Sequence, residues 1–496
     1  MTERGASMTE QLETRRSGWF KLGVALIALI AVGATAFYLW GWSAHRRWDN
    51  YAAFLQASGE PLTYAEIEAR RTMIPNDQNG AMVIEALIEG LDAIADDPDL
   101  GPVLLLGKAR DDGPEGETQP NFFRGVYRHT IKPSREFLTQ HGTLVEAIRE
   151  VRHFPGGRFA IEYSPNPLEI LLPHSSATRT AAKMLSLDAI LALIDGDLDR
   201  AIDEIAVILR LADLLNEEPF TISRLVQVSI HARAIYDLQN TLRVGELPAL
   251  VLIDLDRQIA DRLSSSSMRW ALWGERASIN ELCENLVQGQ IMPTSLTSFS
   301  INPTPPLGQM SWTPRIFMRK NQYEGVRLLS ALIDEVDDPQ ALIAAAGNLD
   351  AGVDALSDLH MIIKMLLPSL EVAVILDIRC HALMECARAA LAAERFRMAN
   401  GRLLDSPDEL VPDWMDQWPD DPLDGRPMRF KSTEEGILIY NVGRNLTDDG
   451  GQLNPPEDQR RNRDEGFRLF KLDRRGLLII DETPHAEPAS AEQPEE

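Results

Sequence analysis

The chain has 496 residues, 44% of them hydrophobic. That is enough to bury cores in roughly two to four domains at about 150 residues each, and it excludes wholesale disorder. Lys and Arg number 49 against 75 Asp and Glu, a net charge of −26; so acidic a chain repels nucleic acid phosphates, no basic stripe offsets this, and nucleic acid is excluded as a partner.

In chain order, residues 1–18 read as a cytoplasmic tail and 19–42 as a transmembrane helix. Leu22 to Trp42 carries no charge, and a bilayer core needs about 20 such residues in a helix. Trp19, Tyr38, Trp40 and Trp42 lie near its ends, where amphipathic rings favour the headgroup level. A cleaved signal peptide is the competing reading. Arg15, Arg16 and Lys21 would form its basic region, with Ala34-Thr35-Ala36 as the cleavage site. The apolar run continues past Ala36 to Trp42, which favours a retained anchor in the lipid bilayer. Arg4, Arg15, Arg16 and Lys21 precede the helix, whereas Arg46 and Arg47 follow it. This asymmetry predicts a single-pass cell-membrane protein with a cytoplasmic N-terminus and an extracytoplasmic body.

Residues 43–120 read as a stalk with short helices at Leu62 to Arg71 and Met82 to Ile94. Residues 121–289 form a helical-hairpin domain. Met184, Leu187, Leu191 and Ile194 make one apolar face, Gly196-Asp197 breaks it, and Ile202, Ile205, Leu209, Ala212 and Leu215 make the next. Further helices are expected near Ile222 to Leu242, Leu247 to Leu263 and Met268 to Gln288. The layout is solenoid-like in architecture, without a repeat of fixed period. Residues 290–315 are a Pro/Ser/Thr-rich loop, and helices resume over 316–367.

The segment 368–482 changes character. Ile375, Ile378, Ala382, Cys386, Ala389, Ala393 and Phe396 recur at spacings of three and four, a stripe about six turns long. Gly401 ends it. Met428 to Lys431 and Ile437 to Val442 read as one hairpin, Phe467 to Leu472 and Leu477 to Ile480 as a second. Residues 483–496 are a disordered acidic tail. The fold class is therefore mainly α, with an N-terminal transmembrane helix, a helical-hairpin body and a small C-terminal α+β module of long helix and antiparallel sheet.

In that module the order Glu394-Arg395-Phe396-Arg397, Asn400-Gly401-Arg402, Asp421-Pro422, Gly425, Tyr440, Gly443 and Gly450-Gly451 resembles the globular region of the major pseudopilin of type II secretion systems. The resemblance covers about 90 residues, from 385 to 474. In that family the loop after the sheet holds calcium. The resemblance implies a metal site of Asn445, Asp448, Asp449 and Asp464, with calcium as the cofactor; calcium takes six to eight oxygen ligands, backbone carbonyls included. Asn445 stands where the family has Asp, and the insert from Gln452 to Arg463 is longer. Two features depart from a pilus subunit. Gly18 is followed by Trp19-Phe20-Lys21-Leu22-Gly23 without the prepilin Glu, and over 300 residues separate the membrane helix from the long helix.

Catalytic motifs are sparse. The sequence has no G-x-S-x-G, P-loop, dinucleotide fingerprint or H-E-x-x-H. His381 and Glu385, with Cys380 and Cys386 beside them, are zinc-ligand types, but neighbours at i and i+1 point apart on a helix. His174-Ser175-Ser176 could pair a nucleophile with a base; a serine cap on a helix from Ala177 accounts for it as well. Glu60, Glu66, Glu68, Asp96 and Asp97 read as solvated faces, and Cys283, Cys380 and Cys386 as small buried hydrophobes rather than a disulfide set. The expected function is a membrane-anchored, extracytoplasmic scaffold without catalysis that binds a protein partner, linked by the resemblance to secretion or envelope assembly. The alternative is an extracytoplasmic hydrolase with a site of dispersed acids and histidines.

Overall fold

The computed structural model describes residues 3–95, 126–264, 267–291, 315–357, 360–367, 370–453, 463–476 and 479–480. The protein is mainly helical, with a small three-stranded antiparallel sheet near the C-terminus. Helix α1 is Glu3–Ala57. Among the described residues it is the helix long and apolar enough to cross a membrane or to act as a signal sequence. Short helices α2 (Tyr64–Glu68), α3 (Ala81–Glu85) and α4 (Ile88–Ala95) follow. The single helix expected from Met82 to Ile94 is thus two. The Leu87 N–H bonds the Ile84 carbonyl at 3.0 Å, a tight three-residue closure that turns the chain between them.

Val126–Tyr127 forms β1, ahead of α5 (Arg128–Gln140) and α6 (Gly142–Arg149). The helical body is α7 (Pro173–Asp195), α8 (Leu198–Asp213), α9 (Thr221–Val244), α10 (Ala249–Leu263) and α11 (Ser267–Gln288). The Gly196-Asp197 turn is as expected. Gly196 takes φ 77°, a left-handed conformation that glycine adopts without strain. The Asp197 carboxylate then accepts the Arg200 N–H at 3.0 Å and caps α8. The body departs from a solenoid, in which each hairpin touches only its neighbours. Here α9 packs on α7, α8, α11 and the C-terminal elements at once.

Helices α12 (Arg315–Asp334), α13 (Pro339–Ala355) and α14 (Met361–Leu366) come next. The long helix α15 (Leu370–Asn400) ends at Gly401, which has φ 70°. Strands β2 (Arg429–Ser432), β3 (Gly436–Asn441) and β4 (Glu465–Phe470) pair antiparallel with β3 in the centre. Alternation splits the sheet. Ile437, Ile439, Phe467 and Leu469 face the main core, while Leu438 and Tyr440 pack with Leu453 on the other side.

The second expected hairpin does not form. Strand β5 (Ile479–Ile480) pairs parallel with β1, not with β4. The chain after β4 is instead drawn to the helical body. Arg475 donates to both Glu394 carboxylate oxygens, at 2.9 and 2.6 Å, and to the Gly245 carbonyl at 3.0 Å. The Gly476 N–H bonds the Arg243 carbonyl at 2.9 Å.

Two large cores meet on α15. Its first turns (Leu370, Val374, Ile378, Ala382) join a core with α11–α14 and the end of α1; later turns (Leu383, Cys386, Ala390, Phe396) join the core of α3–α10 and the sheet. The segment after the apolar run of α1, expected as a stalk, places Trp48, Leu55 and Leu62 in the first of these cores. Within 290–315, residues 292–314 lie outside the described residues, as do Asp96, Asp97, Pro368, Ser369 and 481–496.

A helix buried along most of its length must pair its charges. Glu394, wholly buried, accepts from Arg397 Nε at 2.9 Å and from Arg475. Burial alone would raise its pKa, yet the two guanidinium groups hold it below the usual carboxylate range. Glu394→Ala takes from the buried side chain of Arg475 its only carboxylate among the described residues and leaves Arg397 with Glu246 alone, so chemical denaturation of the full chain in detergent should show a loss of about 3 kcal/mol, and the turn at Arg475 should become protease-sensitive first.

Candidate functional site

A groove of about 430 Å³ lies between α7, α9 and α15, with Glu465 of β4 at one end. Its floor follows helical spacing: Ile222, Leu225, Ser229, Ala232 and Tyr236 recur at three and four on α9. Leu376, Arg379 and Leu383 do so on α15, and Arg179 and Lys183 on α7. The lining is mostly apolar, and Ile222 remains 56% exposed. The wall holds four cations, Arg179, Lys183, Arg233 and Arg379, and Arg379 grips the Glu465 carboxylate through two nitrogens. The volume falls within the range of ligand clefts, about 300–1,000 Å³. The groove therefore presents an apolar strip flanked by positive charge on a strongly acidic protein.

Behind Arg233, Asp237 is fully buried, with the Arg233 guanidinium and the Ser186 hydroxyl as its polar neighbours. Burial pushes its pKa from 3.8 up to about 7, against the pull of Arg233. Burial also lowers Arg233 from the ordinary arginine range.

A second cavity, of about 350 Å³, is polar. It is lined by Arg71, Arg158, Arg210 and Arg262 together with Asp213, Glu217 and Asp261. Its charges are matched internally: Arg262 donates to both Asp213 oxygens at 2.9 and 2.7 Å, and Glu217 accepts the Thr72 N–H and hydroxyl. No histidine lines either of these two cavities.

The residues implicated by the pseudopilin resemblance lie close together in the loop after β3. Asp464 is wholly buried and accepts the Asp449 N–H at 3.1 Å and the Gly451 N–H at 2.7 Å. Asn445 donates its amide to Asp449 at 2.9 Å. Asp448 accepts from the Tyr440 hydroxyl at 3.2 Å and the Gly450 N–H at 2.9 Å. Each Asp464 oxygen thus accepts one backbone N–H and keeps a second lone pair; calcium takes six or more oxygens. Among the described residues no group of three His, Cys, Asp or Glu side chains is placed to hold a metal.

The other candidates separate. His381 sits beside Arg224, ring nitrogen to guanidinium 3.1 Å, and Arg224 is gripped by Asp377. Burial, ahead of Arg224, lowers the His381 pKa. Glu385 pairs with Arg388 at 3.2 Å, Cys380 points to the Val228 carbonyl at 3.6 Å, and Cys386 meets Met428 at 3.5 Å. Helix α7 starts at Pro173, so Ser175 and Ser176 lie inside its first turns and do not cap it, a correction to the sequence reading; proline's fixed φ favours the first helical position. Buried His174 stacks on Phe159 at 4.2 Å and lies 2.8 Å from Glu218, enclosed in the core. Glu60 and Glu68 are not simple solvated faces. Glu60 binds buried Arg276 at 2.6 Å, and Glu68 accepts from Arg71 and the Tyr163 hydroxyl; Glu66 closes a capping box on Thr63.

The groove was not singled out from sequence, although α9 carried the signal. It has a second stripe, Ile222 to Tyr236, beside the buried one through Val226, Ile230 and Ala234. No protein-family model matches this chain, and comparison with curated proteins and with solved structures found no match.

Two measurements check this geometry. Asp464→Ala orphans two backbone N–H groups and should cost about 2 kcal/mol, as read from urea denaturation. For Asp237 the folded pKa is raised, so the folded chain keeps a proton that the unfolded chain loses; stability falls as pH rises from about 4 to about 7 and levels off above. Asp237→Asn should flatten that slope and stabilise the protein at pH 8, as read from urea midpoints across pH.

Proposed function

We propose that this protein is a membrane-anchored, extracytoplasmic scaffold without catalysis that holds a protein partner in the groove between α7, α9 and α15. One observation carries the reading. The groove offers an apolar strip edged by Arg179, Lys183 and Arg233, and its carboxylate, Glu465, is tied to Arg379. An active site brings converging acid, base and nucleophile into a cleft; this one brings apolar area and positive charge, the pattern that receives an amphipathic segment with acidic flanks. Helix α1 supplies the anchor, and the cation excess before it supports a cytoplasmic N-terminus. The C-terminal order of long helix, hairpin, loop and third strand supports a pseudopilin-like module, and with it a place beside a secretion or envelope assembly.

A photo-crosslinking residue at Leu225 or Ser229 of the full chain in its native membrane tests the binding role. The expected result is one adduct common to both positions, whose crosslinked peptide is amphipathic and acidic, and which Arg179→Glu with Lys183→Glu abolishes. Labelling no stronger than from a control position at Glu136 would refute it. Extraction of membranes at alkaline pH tests the anchor: an intact chain stays with the lipid, whereas a cleaved signal releases a shorter chain.

A further inference from the structure

The side chains of α1 change surroundings abruptly at Trp40. Val24 to Leu39 is exposed throughout, whereas Gly41, Ala44, Trp48 and Leu55 are buried. These four fall at spacings of three, four and seven, one face of a helix, and that face packs on α12. Gly41 and Ala44 are small, which lets the two helices approach closely. The contact therefore begins within the last turn of the apolar segment, without a linker between the segment and the body.

The groups around that point are of two kinds. The Trp40 ring packs edge-on against Phe317 of α12, 5.6 Å between centroids, and Lys320 Nζ sits 4.0 Å over the Trp40 ring. The Arg46 guanidinium lies 5.0 Å over Trp42, which is 53% exposed. Arg46 and Arg47 are exposed on the next turn. Indole rings favour the headgroup level, and long cationic side chains reach along apolar surface to phosphate. Lys320 and Arg47 are near enough to oppose each other's charge: burial first, then Arg47, lowers the Lys320 pKa. A phosphate between them would relieve that repulsion.

We propose that Trp40, Trp42, Arg46, Arg47, Phe317 and Lys320 form an aromatic and cationic collar that seats the body directly on the phospholipid phosphate layer, with α12 as a second membrane contact beside α1. This rests on the reading of α1 as a retained anchor. The seat fixes the body's height and tilt, because α1 runs unbroken from the bilayer into the core at Trp48 and Leu55.

The test uses the full chain reconstituted in phosphatidylcholine vesicles containing phosphatidylglycerol, with a fluorophore on Lys320→Cys or Phe317→Cys and a control label on Glu136→Cys of α5. Nitroxide lipids labelled at the headgroup should quench both α12 positions several-fold more than the control. Arg46→Glu with Arg47→Glu should reduce quenching at the Phe317 position, with an unchanged thermal melt. Equal quenching at all three sites overturns the collar. Alkaline extraction of the same vesicles separates the two failures: release of the chain from lipid refutes the anchor itself, and retention with unquenched α12 labels refutes the collar alone.

Discussion

The structure depends on the neutralisation of charges buried along α15. Asp377, Arg379, Glu394 and Arg397 are all buried on this one helix, and a buried charge without a partner costs several kcal/mol. Partners come from four places off the helix: Arg224 from α9, Glu465 from β4, Arg475 from the turn beyond it, and Glu246, which binds Arg397, from the segment between α9 and α10. Nearer the surface, Arg388 takes Asp256 from α10 at 2.9 Å. The ion pairs set which elements surround the helix, and the apolar contacts then fill the space between them. Its many buried alanines, among them Ala382, Ala387, Ala390 and Ala393, keep the helix thin enough for neighbours on every side.

The groove follows from that arrangement. Helix α9 packs on α7 and α8 and also on α15 and β4, and the groove lies where α7, α9 and α15 border one another. The apolar residues there, Ile222 and Leu225 among them, are framed by side chains from three helices. The Arg379–Glu465 pair that ties the sheet to α15 also lines the groove, so the C-terminal module is part of its wall. An occupant contacting that wall would sense the position of the sheet.

Helix α1 connects the body to the apolar segment without a break in the helix. Its buried stripe from Gly41 to Leu55 shares a core with α11 to α14 and the first half of α15. The Trp273 and Arg276 side chains of α11 hold Glu60, just past the end of α1, at 3.1 and 2.6 Å.

Much of this was legible locally. The uncharged run from Leu22 to Trp42, the two faces divided at Gly196-Asp197, the stripe from Ile375 to Phe396 and the hairpin at 429–441 each depend on periodicity and turn chemistry within a few residues, and each formed. The four loop residues Asn445, Asp448, Asp449 and Asp464 were also found together, but composition did not reveal that each Asp464 oxygen accepts a backbone N–H. Three further features required the third dimension. The chain after Phe470 reads as a hairpin arm, yet Arg475 finds Glu394 and leads it elsewhere. The residues after Trp42 read as a stalk, yet Trp48 and Leu55 find α12. The groove is assembled from residues as distant as Arg179 and Glu465. Sequence determined the helices, their apolar faces and the membrane-length segment, because these arise from spacing along one element. The tertiary structure decided which faces meet, because a buried charge or ring is satisfied by whichever partner the packing brings within a few ångströms, whatever its distance along the chain.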